Sequence, residues 1–62
     1  MNNIANIRKK SRITQQKLSE KLGIDRSTIA KWESGDTMPR ADKLPELAKI
    51  LNCTIDELFT AS

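Results

Sequence analysis

Histidine is absent from this 62-residue chain and cysteine occurs once, so the usual metal clusters and nucleophile-base pairs of enzymes have no residues to be built from. The sequence therefore points away from catalysis and predicts no cofactor. A lone Cys53 cannot close an internal disulfide, no secretory segment is visible, and no apolar run approaches the length of a membrane span. On these grounds the chain is expected to be cytoplasmic, without a membrane or small-molecule partner. Aromatic residues are scarce, one tryptophan and one phenylalanine with no tyrosine, which leaves little with which to stack on unpaired bases. Sixty-two residues allow one small core at most, so a single domain over 1–62 is expected.

What is present is charge, and it is unevenly placed. The formal net charge is +3, yet residues 1–31 hold eight Lys or Arg against Glu20 and Asp25, whereas the remainder holds three basic residues against six acidic ones. The first half is thus strongly basic, as a polyanion-binding surface requires.

That basic half contains the stretch on which the rest of the chain is organised, TQQKLSEKLGIDRSTIAKWESG, from Thr14 to Gly35. Leu18 and Leu22 mark the inward stripe of one short helix, and Ile29 and Trp32 that of a second. Gly23 and Gly35 fall just past the two helix ends, where a left-handed residue commonly closes a helix. Thr14 and Asp25 stand where N-caps belong, and Ile13 with Leu18, and Ile24 with Ile29, have the spacing of the apolar staple that accompanies a cap.

These residues resemble the helix-turn-helix of the Cro and phage-repressor (XRE-type, lambda-repressor-like) DNA-binding family. The likeness is carried by ITQQKLSEKLGI, with paired glutamines and Gly23, and by DRSTIAKWESG as recognition helix. Ser19 stands where the family generally has alanine, a small residue in a close helix crossing. The resemblance extends from Ile4 to Phe59 and implies an all-α fold of five short helices, with helices 2 and 3 forming the motif over about 14–35.

On either side of the motif the helix signals continue. Asn3 to about Lys10 carries Ile4 and Ile7 at helical spacing, and the same stripe lands on Arg8, an arginine that needs a partner if buried. Glu33 lies at the edge of the Ile29 and Trp32 face, and in the family an ion pair joins these two positions. After Gly35, Pro39 interrupts helix formation. Leu44, Leu47, Ala48 and Leu51 then define a fourth helix from near Lys43 to Leu51 or Asn52; with Asp42 as its cap, Pro45 would stand at the third position. Thr54 and Glu57 have capping-box spacing for a fifth helix, with Cys53 and Leu58 as staple, and Ile55, Leu58 and Phe59 are expected to close the core.

The recognition helix, expected from Arg26 to about Ser34, separates into an apolar face and an outward arc of Arg26, Ser27, Ala30, Lys31 and Ser34, with Thr28 at its border. Arginine or lysine can read guanine acceptors in the major groove, so Arg26, Ser27 and Lys31 are the candidate base readers. A helix start offers free amides and positive dipole to a phosphate. By resemblance Gln15 clamps phosphate there and braces the start of the recognition helix. Gln16, Lys17, Thr28, Ser34, Thr37 and Arg40 complete the candidate phosphate-positioning set, while Asp36 is a charge departure in a loop that follows the DNA backbone in the family.

The function implied is sequence-specific binding of double-stranded DNA by a transcriptional regulator, most like a phage or mobile-element repressor acting by operator occupancy. One recognition helix reads only a few base pairs, so a pseudo-palindromic operator and a weak homodimer, at least on DNA, are expected. The turn around Asn52 and the helix with Leu58 and Phe59 are the candidate dimer surface. A protein-interaction or antitoxin-like module on the same fold is the alternative; it would expose a contiguous apolar patch in place of a wet, basic helix face.

Overall fold

Helix ends decide much of this architecture. The computed structural model describes residues 2–59, and in it five helices follow one another: α1 (Ile4–Lys10), α2 (Gln15–Leu22), α3 (Arg26–Ser34), α4 (Leu44–Ile50) and α5 (Ile55–Phe59). Residue 1 and residues 60–62 of the expected domain lie outside the described residues.

Each of the first four helices stops in the same way. A residue with positive φ follows the last turn, at Arg12 (59°), Gly23 (70°), Gly35 (84°) and Asn52 (55°). Its amide reaches back three residues, and the next amide reaches back five, as in Ile13 to Arg8 (3.2 Å), Ile24 to Ser19 (3.0 Å), Asp36 to Lys31 (3.0 Å) and Cys53 to Ala48 (2.9 Å). This pairing satisfies carbonyls that a helix end leaves without partners and turns the chain sharply. After α1, α2 and α4 the following residue is Ile13, Ile24 or Cys53, which packs back against the core. After α3 it is the exposed Asp36, so that loop runs over the surface until Pro39, which is buried.

The turns bring α2 against α3 and α4, and α1 against α3 and α5, while α4 meets α5. Between them lies a core of Ile4, Leu18, Leu22, Ile29, Trp32, Leu47, Ala48, Leu51 and Leu58. Ser19 is buried at the α2 crossing, and its hydroxyl donates to the Gln16 carbonyl at 2.7 Å, so the polar atom is satisfied within its own helix. Phe59 packs against the core from its margin.

Two of the expected caps are made as the sequence reads. Thr14 Oγ1 accepts from the Lys17 amide at 3.0 Å, and Thr54 and Glu57 exchange bonds of 2.9 and 3.1 Å. Others differ. Asp25 has the extended backbone of an N-cap, but its carboxylate makes no capping bond. Helix α4 starts at Leu44 with Lys43 before it, not with Asp42 as cap, because residues 41–43 form a separate turn closed by the Lys43 amide on the Arg40 carbonyl (2.9 Å). Pro45 consequently stands second, where its missing amide costs nothing. Ile55 is 39% exposed and does not close the core; as the first residue of α5 it faces water while Leu58, one turn on, is fully buried.

Candidate nucleic-acid interface

The outward side of α3 is polar by construction. With Ile29 and Trp32 buried, Arg26, Ser27, Ala30, Lys31 and Ser34 are exposed together and Thr28 is half-buried at the border. The three candidate base readers thus share one free face. Gln16 and Lys17 are exposed on the first turn of α2, and Thr37 and Arg40 are exposed on the loop after α3. Gln15 differs from these neighbours in being half-buried.

The reason lies in an internal network. Arg8, 9% exposed, donates through Nε to Glu33 Oε2 (2.5 Å), through Nη2 to Glu33 Oε1 (3.3 Å) and through Nη1 to the Ile13 carbonyl (2.7 Å). Gln15 Nε2 donates to the same Glu33 Oε1 at 2.9 Å. Two elements, α1 through Arg8 and α2 through Gln15, therefore converge on one carboxylate of α3, while the α1–α2 link holds Arg8 in place through the Ile13 carbonyl. Because Glu33 lies in the last turn, Gln15 braces the end of the recognition helix and not its start. Its second amide hydrogen and its carbonyl oxygen remain for a ligand.

Further bonds collect at the same end. Asn2 Nδ2 donates to the Trp32 carbonyl at 2.7 Å, while Asn2 Oδ1 accepts from the Ile4 amide at 3.1 Å, so one side chain ties the start of α1 to the end of α3. The Lys31 carbonyl accepts from the amides of Asp36 (3.0 Å) and Thr37 (3.3 Å) and from the Ser34 hydroxyl (3.1 Å). That last bond changes the reading of Ser34. A hydroxyl has one proton, and here it serves the helix end, while its oxygen accepts from the Asp36 amide at 3.3 Å. Ser34 thus caps the turn in the free domain while remaining exposed. Thr37 has its backbone fixed by the same carbonyl, which sets its exposed side chain beside the C-terminal end of α3.

Asn2 and the Gln15–Glu33 bond were not foreseen from spacing. A helical wheel shows which residues share a face of one helix, but it cannot show which polar side chain reaches a neighbouring helix. Among the described residues no group of three or more His, Cys, Asp or Glu could hold a metal ion, and no helix is long and apolar enough to cross a membrane.

Comparison with known proteins agrees with this geometry. A family model described as helix-turn-helix matches residues 4–58. The transcriptional activator BcrR of Enterococcus faecalis is 42% identical over 48 residues, 77% of this chain and 24% of that protein. The cryptic phage CTXphi transcriptional repressor RstR of Vibrio cholerae is 36% identical over 55 residues, 89% of this chain and 49% of its own length. The chain thus spans between about a quarter and a half of these relatives. A crystal structure of a candidate DNA-binding protein from Bacteroides fragilis superposes with a TM-score of 0.87 at 29% identity, covering 94% of each chain. With residues 4–58 matched by the helix-turn-helix model, this chain belongs to the Cro- and phage-repressor-like (XRE-type) helix-turn-helix family.

Proposed function

We propose that this domain binds double-stranded DNA in a sequence-specific way and regulates transcription by occupying an operator, in the manner of a phage or mobile-element repressor. The observation that carries the reading is the face of α3. Arg26, Ser27 and Lys31 project together from a helix whose other side is locked into the core and whose end is held by Arg8, Gln15 and Asn2. Such a helix can enter a major groove as a rigid body, with the two cations reaching guanine acceptors.

Gln15, Gln16 and Lys17 on the first turn of α2, with Thr28 at the border of α3 and Thr37 and Arg40 beyond it, would fix the domain on the phosphates flanking the groove. No chemical step is involved. RstR is named a phage repressor, which favours repression, whereas BcrR is named an activator. Occupancy of a site serves either outcome, depending on where the operator lies.

Two copies on a pseudo-palindrome, with half-sites about 34 Å apart, would supply the specificity one helix lacks. The acidic half offers the surface for it. Leu58 is fully buried and cannot take part, so the exposed Asn52 turn and Ile55 of α5 are the residues that would meet a second copy.

Selection of bound sequences from a random duplex pool tests the reading directly, followed by titration of the selected site at several salt concentrations. A defined, palindromic site is expected, with log K falling against log salt at a slope of about −3.5 to −5.5 for roughly 4 to 6 neutralised phosphates per domain. Recovery of no preferred sequence, together with a flat salt dependence, would reject it in favour of a protein-interaction role.

A further inference from the structure

Helix α3 is held from outside by two kinds of bond. Arg8 and Gln15 reach it through the carboxylate of Glu33, at the far end of a flexible side chain, so they hold that side chain more firmly than the helix itself. Asn2 is different. Its Nδ2 donates at 2.7 Å to the Trp32 carbonyl, and among the described residues this is the one hydrogen bond that the main chain of α3 receives from beyond its own flanking turns.

Asn2 has little freedom of its own. Its Oδ1 accepts from the Ile4 amide at 3.1 Å, which fixes the side chain on the start of α1, and the neighbouring Asn3 donates through its amide to the Leu58 carbonyl of α5 at 2.7 Å. The main chains of α3 and α5 are thereby joined through Asn2 and Asn3. The residue type matters, because the Ile4 amide requires an acceptor and the Trp32 carbonyl a donor. An aspartate could keep the first bond but not the second, since a carboxylate has no proton to donate.

Apolar packing does not replace that bond. Ile29 and Trp32 are buried, but their burial is non-directional and sets how deep the helix sits, not its place along or around its axis. A contact to a base edge tolerates displacement of only about 0.5 Å. Lys31 directly precedes Trp32 and stands on the exposed face. We infer that Asn2 is a positioning residue for base reading: it fixes the α3 main chain at Trp32, and with it the place from which the Lys31 end of the face meets the groove. The inference rests on the DNA-binding reading above and adds to it a residue outside the helix-turn-helix, acting through a carbonyl and not by contact with DNA.

Asn2→Asp and Asn2→Ala test it together. Both lose the donor to Trp32, while Asn2→Asp keeps an acceptor for the Ile4 amide and Asn2→Ala adds no charge. Trp32 is the only tryptophan, so its isotopically labelled carbonyl carbon gives a single NMR signal, which should move upfield in both variants as the hydrogen bond is lost. The ratio of affinities for the selected duplex and an unrelated one should fall about 3- to 10-fold, the range one hydrogen bond controls. The added charge of Asn2→Asp acts on both duplexes alike and cancels in that ratio. Binding is measured well below the melting midpoint, which the lost bond should lower by about 4 to 8 °C. A shifted carbonyl signal with an unchanged ratio, including equal weakening on both duplexes, would show a merely structural bond and overturn the inference while leaving the DNA-binding reading intact. An unmoved carbonyl signal would overturn it as well, since the bond would then be missing from the folded domain. A parent protein that binds no duplex, or all duplexes alike, would overturn both.

Discussion

Replacing Arg8 by alanine should remove most of the stability of this domain. The side chain makes three hydrogen bonds, and the side chains of Arg8 and Glu33 are only 11% and 9% exposed. Its loss leaves Glu33 charged with Gln15 as its remaining partner, and leaves the Ile13 carbonyl without its side-chain donor. Breaking a buried pair from one side costs about 3 to 5 kcal/mol, and the residual exposure here favours the lower end. At about 0.05 to 0.15 kcal/mol per residue a chain of this length has roughly 3 to 9 kcal/mol in all. The variant should therefore be marginal or unfolded at room temperature. Replacing Arg8 and Glu33 together by leucine leaves no orphaned charge and should cost about 1 to 2 kcal/mol, chiefly for the lost partners of Gln15 and Ile13. Urea melts followed by helical circular dichroism measure both, with parent and double variant sharing one m value because they expose similar surface. A single variant within about 1 kcal/mol of the parent would refute the argument, since it would mean that water reaches Glu33 freely.

Arg26→Ala and Lys31→Ala should each cost about 1 to 3 kcal/mol on the preferred site and little on unrelated duplex; an unchanged ranking of operator mutants in both would show that they are not readers. Gly23→Ala places a Cβ in open space, with nothing within 4 Å, so its cost of about 1 kcal/mol is purely the left-handed backbone, visible as a drop of roughly 4 to 8 °C in Tm. The Cys53 thiol is pushed above its ordinary value of 9.0 by burial and then by the nearby Glu57 carboxylate. The folded state holds that proton longer than the unfolded one, so its contribution to stability is full below pH 9 and is lost as pH rises beyond. Alkylation rates against pH should show a midpoint above 9, and a midpoint at or below it in the folded domain would contradict this.

The helices were legible because their ends are written locally. Thr14, Thr54 with Glu57, Gly23 and Gly35 act through bonds within a few residues, and sequence spacing states those bonds fully. Arg12 and Asn52 do the work of glycine at the other two ends, yet arginine carries no turn signal of its own. The cap of α4 differs by one residue because Asp42 has the side-chain chemistry of a cap, whereas residues 41–43 are taken up by a turn that the Lys43 amide closes on the Arg40 carbonyl. Ile55 is apolar and reads as core, whereas one turn of α5 buries Leu58 fully and Phe59 only in part. For the candidate interface, the outward arc of α3 followed from helical period. Its supports from Asn2 and Gln15 did not, since both cross between elements about 18 to 30 residues apart in sequence.

The distribution of those supports gives the recognition helix the mechanics of a beam clamped at one end. Side-chain bonds from Asn2, Arg8 and Gln15 all arrive at Trp32 and Glu33, whereas toward Asp25, which has no side-chain cap, the hold is apolar packing through Ile29 and the turn at Gly23. Packing of that kind resists separation but little resists a small rotation. Arg26 lies about 10 Å along the axis from Glu33, so a tilt of about 5° about the clamp carries it nearly 1 Å, while Lys31, two residues from the clamp, moves by only about 0.3 Å. In the proposed complex with DNA, the contacts of Arg26 and Ser27 would therefore have more latitude than that of Lys31.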